Sequence, residues 1–173
     1  AELAASTATW KVIAADMPIG MIVRDGPSAF ENGANGNGPV KGREFDLAEV
    51  LSFIKHARVK NTVWLTADVH YTAAHHYSPD RASFQDFEPF WEFVSGPLHA
   101  GTFGPADYDD TFGPKVEFAK APTPEQGQNL PPSEGLQFFG KVDIEGATGR
   151  MTVRLMDAAD AELWSTTLDP ERA

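Results

Sequence analysis

The chain has 173 residues, a formal net charge of −11 at pH 7 and no cysteine. That length allows one domain with a real core, and the charge argues against nucleic acid as a general partner, because neutralising phosphates needs clustered Lys and Arg. The lack of thiols excludes disulfides and thiolate metal sites, and no run approaches the roughly 20 apolar residues that span a bilayer.

In chain order, the start, Ala1-Glu-Leu-Ala-Ala-Ser, lacks the basic segment and apolar core of a signal peptide. Residues 9–15 (Thr-Trp-Lys-Val-Ile-Ala-Ala) read as a core strand, rich in β-branched and aromatic side chains and followed by a turn signal at Pro18 to Gly20. A second apolar run, 19–23, stops at Arg24-Asp-Gly-Pro. Residues 31–42 are thick with Gly and Asn and read as a surface loop.

From 44 to 59 the period changes. Leu47, Val50, Leu51, Ile54 and Ala57 fall on one side of a helix, and Asp46 and Glu49 sit near its positive end. His56 on this helix reads as a surface residue. The run 61–70 (Asn-Thr-Val-Trp-Leu-Thr-Ala-Asp-Val-His) is short and nearly all apolar until its end, which suits a strand buried on both faces. Strand, loop, helix and strand make a βαβ unit with parallel strands.

If the backbone stays extended through residue 70, Asp68 and His70 project from one face and converge beyond the strand end. Ligands collect at that place in open α/β sheets. A carboxylate oxygen and an imidazole nitrogen together suit iron, zinc or manganese. The structural alternative is an Asp that caps a turn and a His held by ordinary hydrogen bonds. His75 and His76 are adjacent, so at most one faces such a site. Both are site-proximal candidates, with aromatic packing or a hydrogen bond to Asp80 or Asp86 as the alternative.

Aromatic residues crowd 84–93 and read as core, with an interior strand near 91–95. Thr-Phe-Gly-Pro occurs at 102–105 and again at 111–114, around Asp107-Tyr-Asp-Asp110. That carboxylate cluster lacks the oxygen-ligand spacing of an EF-hand, so the repeat reads as loop architecture, and His99 as a surface residue. Glu88 and Glu92 are helix-spaced, but Pro89 interrupts a helix there. Residues 121–133 form a Pro-rich connector. Runs at 136–144, 150–156 and 162–168 read as an antiparallel meander with hairpin turns.

The text Trp64-Leu-Thr-Ala-Asp-Val-His70-Tyr-Thr-Ala-Ala, the stretch from Phe84 to Pro97 and the paired Thr-Phe-Gly-Pro segments closely resemble the PhoD-like alkaline phosphatases, metallophosphoesterases that hydrolyse phosphate mono- and diesters. The likeness extends upstream through Ala8-Thr-Trp-Lys-Val-Ile-Ala-Ala-Asp-Met-Pro-Ile-Gly and Gly42-Arg-Glu. It implies an α/β to α+β fold: a βαβ unit plus a carboxyl-terminal antiparallel meander in one mixed sheet, half of an αββα sandwich. It also implies that residues 1–173 are a single unit, the carboxyl-terminal part of a longer catalytic domain.

The same resemblance implies ferric iron and calcium as cofactors, with zinc, manganese or magnesium as alternatives. Asp68 would take the calcium and His70 the iron. The implied partners are a phosphate ester substrate and the amino-terminal part of the same enzyme, which would carry the remaining ligands. Export to the periplasm or cell surface is implied as well. The fragment alone is then expected to be inactive. A reading from another class is a non-catalytic acidic β-rich module that binds a protein partner or self-associates through an exposed sheet edge.

Overall fold

Two branched apolar runs on either side of a helix set the architecture. The computed structural model describes residues 2–25, 29–31, 33–40 and 43–172. Its elements are α1 (Glu2–Ala5), β1 (Lys11–Ala14), β2 (Met21–Ile22), β3 (Arg24–Asp25), β4 (Ala29–Phe30), α2 (Glu44–His56), β5 (Thr62–Thr66), β6 (Thr72–Tyr77), β7 (Phe90–Val94), β8 (Asp107–Tyr108), β9 (Pro114–Lys120), β10 (Phe138–Ile144), β11 (Met151–Asp157) and β12 (Glu162–Leu168). Gly26 and Pro27, where the second apolar run stops, and Asn32, Lys41 and Gly42 of the expected loop, lie outside the described residues.

The main sheet runs β1-β5-β7-β6-β9. β1, β5 and β7 are parallel, while β6 and β9 are antiparallel to their neighbours. β1, α2 and β5 form the expected βαβ unit. Alternation along the strands sorts the side chains by face. Trp64, Tyr77 and Phe90 meet Leu51 and Ile54 of α2 on one face, whereas Val63, Ala74 and Phe93 meet Met151, Val153 and Leu155 on the other.

The meander β10-β11-β12 is present at the expected positions. It hydrogen-bonds as a separate three-stranded sheet and packs on the main sheet face to face, so it does not extend the mixed sheet as the sequence suggested. The cause is visible in its pattern. Met151, Val153 and Leu155 alternate inward, and Trp164 stacks among Trp91, Phe93 and Phe118. Burying that apolar face is worth more than extending a ladder at an edge.

Helix α2 stops at His56, three residues before the expected end. Arg58 adopts φ 54°, its N–H bonds Lys55 O at 3.0 Å, and Val59 N–H bonds Ile54 O at 2.9 Å. This pair of bonds is a Schellman motif with an arginine at the left-handed position, closed by apolar contact between Val59 and Ile54. Val50, expected on the buried side, is 41% exposed, beside Phe45 and Phe53.

The two Thr-Phe-Gly-Pro segments need glycine for the same reason. Gly104 (φ +95°) leaves a Cβ no room against the Tyr71 ring, and Gly113 (φ +60°) lies against the Arg81–Ala82 backbone. Their phenylalanines diverge. Phe112 is buried in the core under α2, and Phe103 is partly exposed.

Candidate metal centre

The carboxyl ends of β1, β5 and β7 lie at one edge of the main sheet, and β6 starts there. β5 ends at Thr66, earlier than the sequence suggests. Ala67 still bonds Asp16 O at 2.9 Å, and then Val69 N–H bonds Ala67 O at 2.8 Å in a three-residue turn. Asp68 and His70 both adopt φ 62°. The extended backbone expected to aim them side by side is therefore replaced by a tight turn with a left-handed residue on each side of Val69.

That turn has a physical anchor. Val69 is 8% exposed and packs with Met21, Tyr71, Ala73 and Val94, which leaves Asp68 exposed and His70 half-buried at the sheet edge. Asp and His are among the non-glycine residues that tolerate this region best. Two such residues within three positions store local strain of the kind that clusters at functional sites.

His70 Nδ1 lies 2.5 Å from Gly101 O. A carbonyl can only accept, so Nδ1 carries the proton and the Nε2 lone pair is left available. Metal-ligating histidines are oriented by this same kind of bond. Phe103 closes one side of the imidazole at 5.4 Å, edge to face, and its N–H bonds His70 O. The donor set therefore fits a cation: an oriented imidazole nitrogen and a solvent-facing carboxylate from one turn. Among the described residues, no group of three or more His, Cys, Asp or Glu is assembled to hold a metal ion.

His75 and His76 lie in β6, and the pleat sends them to opposite faces. His75 is fully buried, with Nδ1 2.8 Å from Glu92 Oε2 and Nε2 3.0 Å from Tyr108 Oη. His76 packs on Trp91 and Arg81. Neither reaches Asp80 or Asp86. Asp86 instead pairs with Lys55 and His56 of α2, and His99 is exposed.

Glu92 is the polar residue that sequence reasoning missed. Its Oε2 also accepts from Tyr77 Oη at 2.7 Å, and its Oε1 accepts from Ile19 N–H at 2.7 Å. Tyr77 Oη in turn accepts from Gly20 N–H at 2.9 Å, and Tyr71 Oη lies 3.3 Å from Tyr108 Oη. The signal was a charged residue inside the apolar run Phe90-Trp-Glu-Phe-Val, which survives burial only with partners. The network pins the loop after β1 and strand β8 onto the main sheet.

Burial raises the phenol pKa of Tyr77, Tyr108 and Tyr71 above the ordinary tyrosine value. The charge of Glu92 reinforces this at all three, and Tyr71 does so at Tyr108. His76 is shifted down, first by partial burial and then by Arg81. Asp86 is pulled down to about 2 by hydrogen bonds from His56 and Lys55.

No curated protein matches the chain. Comparison with protein families matches residues 1–155 to the family described as PhoD-like phosphatase, a span that takes in the Asp68–His70 turn, the buried network and most of the meander. With that match added to the fold, the motif text and the geometry of the β5 turn, the chain belongs to the PhoD-like phosphatase family.

Proposed function

We propose that Asp68 and His70 are two ligands of the metal centre of a phosphoric ester hydrolase acting on mono- and diesters. The observation that carries this reading is the bond from His70 Nδ1 to Gly101 O, which presents Nε2 as a free nitrogen donor two residues from an exposed carboxylate. The imidazole suits iron and the carboxylate suits calcium, with zinc, manganese and magnesium as alternatives. When bound, such a centre supplies Lewis-acid polarisation of a phosphoryl oxygen and a lowered pKa for an attacking water.

This chain's own part is presentation. Val69, seated in the core, holds the turn, the Gly101 carbonyl fixes the tautomer and orientation of the imidazole, and the Phe103 ring shields one side of it. Two protein ligands are too few to fix an ion and leave a working coordination position. The remaining ligands are therefore proposed to come from a segment outside these 173 residues, and this polypeptide alone is inactive.

The test is hydrolysis of p-nitrophenyl phosphate and its bis ester with iron and calcium added. The chain alone should give background rates, and addition of an amino-terminal fragment should restore turnover that Asp68→Asn and His70→Ala abolish. Robust turnover by the chain alone would overturn the shared-centre reading. Restored turnover that is indifferent to both substitutions would overturn the ligand assignment and favour a non-catalytic binding role for this part.

A further inference from the structure

At the opposite end of β5 from Asp68, the charge of the molecule reverses. Lys11, Arg58, Lys60 and Arg172 line one cleft of about 1000 Å³, formed where the segment before β1, the end of α2, the β10–β11 hairpin and the chain after β12 come together. A chain of net charge −11 with 14 Lys and Arg in all thus gathers four of them around one hollow. Among the described residues, one carboxylate, Glu171, lines the same hollow.

Among the described residues, three of these four cations have no ion-pair partner. Lys60 pairs with Glu171 at 2.8 Å and also feels the charge of Glu88. Lys11 Nζ donates to the neutral Ala8 O at 2.7 Å, and Arg172 Nη2 donates to Thr148 O at 3.2 Å; both keep further donors to offer. The Arg58 side chain makes no hydrogen bond or ion pair among the described residues. Of the nearby carboxylates, Asp169 is engaged by Arg150, and Glu145 accepts from the Thr148 hydroxyl. The left-handed backbone at Arg58 matters here too. Glycine is the usual residue at that helix-ending position, so an arginine there gives up conformational ease and places a guanidinium beside the cleft.

We infer that this cleft is a second binding site, separate from the β5 turn, for a multiply charged phosphate-bearing anion. Two guanidinium forks and two ammonium groups match several phosphate groups better than one. The cleft wall carries further polar donors, among them the hydroxyls of Thr7 and Thr9, while the Asn61 amide holds the Glu171 backbone in place. About 17 Å of strand separates it from the turn that bears Asp68, so it would hold a part of a ligand remote from the reacting bond, or a separate anion. The inference uses neither Asp68 nor His70, and its failure leaves the metal-centre reading untouched.

The test uses the metal-free 173-residue chain with tripolyphosphate as probe, followed by calorimetry and by amide NMR shifts. Saturable binding is expected, with shifts at Arg58, Asn61, Gly146 and Gly149, and it should weaken as salt approaches about 0.15 M, where the Debye length shrinks to about 8 Å. Arg58→Gly combined with Arg172→Ala should lower affinity about tenfold or more, while Lys141→Ala, on the exposed face of β10, should not. Arg58→Gly suits the local backbone, so lost binding in that single variant reports the side chain and not unfolding. Absence of saturable binding, shifts mapping elsewhere, unchanged affinity in the double variant, or equally tight binding of citrate would each overturn the inference.

Discussion

His75 and Glu92 face each other across β6 and β7, with Nδ1 2.8 Å from Oε2 and both side chains fully buried. Removing one member of such a pair leaves the other polar group without its partner in a low-dielectric interior. Glu92→Ala is therefore expected to cost about 3–5 kcal/mol, because it strips the acceptor from His75, Tyr77 and the Ile19 N–H at once. Glu92→Gln keeps the volume and one acceptor oxygen, so about 1–3 kcal/mol is expected. Urea denaturation of both variants checks this; a loss below about 1 kcal/mol for Glu92→Ala would mean that the network adds little to stability.

The buried phenols set an alkaline limit. Tyr71, Tyr77 and Tyr108 have folded pKa values raised above 10.0 by burial. A group raised in this way leaves stability intact below its unfolded pKa and withdraws it as pH rises through the window between the unfolded and folded values. Unfolding free energy should be flat up to about pH 10 and fall beyond it. Tyr71→Phe removes one titrating group and should make the fall shallower. An equal slope in that variant would show that Tyr71 ionises in the native state.

The contact between α2 and the 84–89 loop sets an acid limit of the opposite sign. Asp86 is depressed from 3.8 to about 2 by His56 and Lys55. Its stabilising effect is present above the unfolded pKa and lost as pH falls through that window. Asp86→Asn should lower Tm near neutrality, and its difference from the parent chain should shrink steadily below about pH 4 and be mostly gone near about pH 2. A difference that persists undiminished at that pH would assign the effect to packing and not to charge.

The fold was largely legible because period carries it. Helical spacing of Leu47, Leu51 and Ile54, the buried run that became β5 and the alternation of Met151, Val153 and Leu155 each left a readable pattern. Where the meander would pack was not legible, since an inward-facing strand reads the same whether it extends a sheet or covers one. At the candidate site, residue types singled out Asp68 and His70, yet their backbone did not follow from the pattern. Val69 reads as one more strand residue, and only its seat in the core turns the chain left-handed on either side. His75 read as a site-proximal candidate, and its buried role was not legible because its partners, Glu92 and Tyr108, lie 17 and 33 residues away.

The most direct test of the account is nitrogen-15 NMR of the His70 imidazole in the metal-free chain and during titration with manganese. Before metal, Nδ1 should carry the proton and Nε2 should be bare. Manganese, added with the amino-terminal fragment that completes the ligand set, should then broaden His70 and Asp68 selectively while sparing His56 and His99. A proton on Nε2 with Nδ1 bare, or broadening that bypasses His70, would contradict the assignment of this turn as part of a phosphatase metal centre.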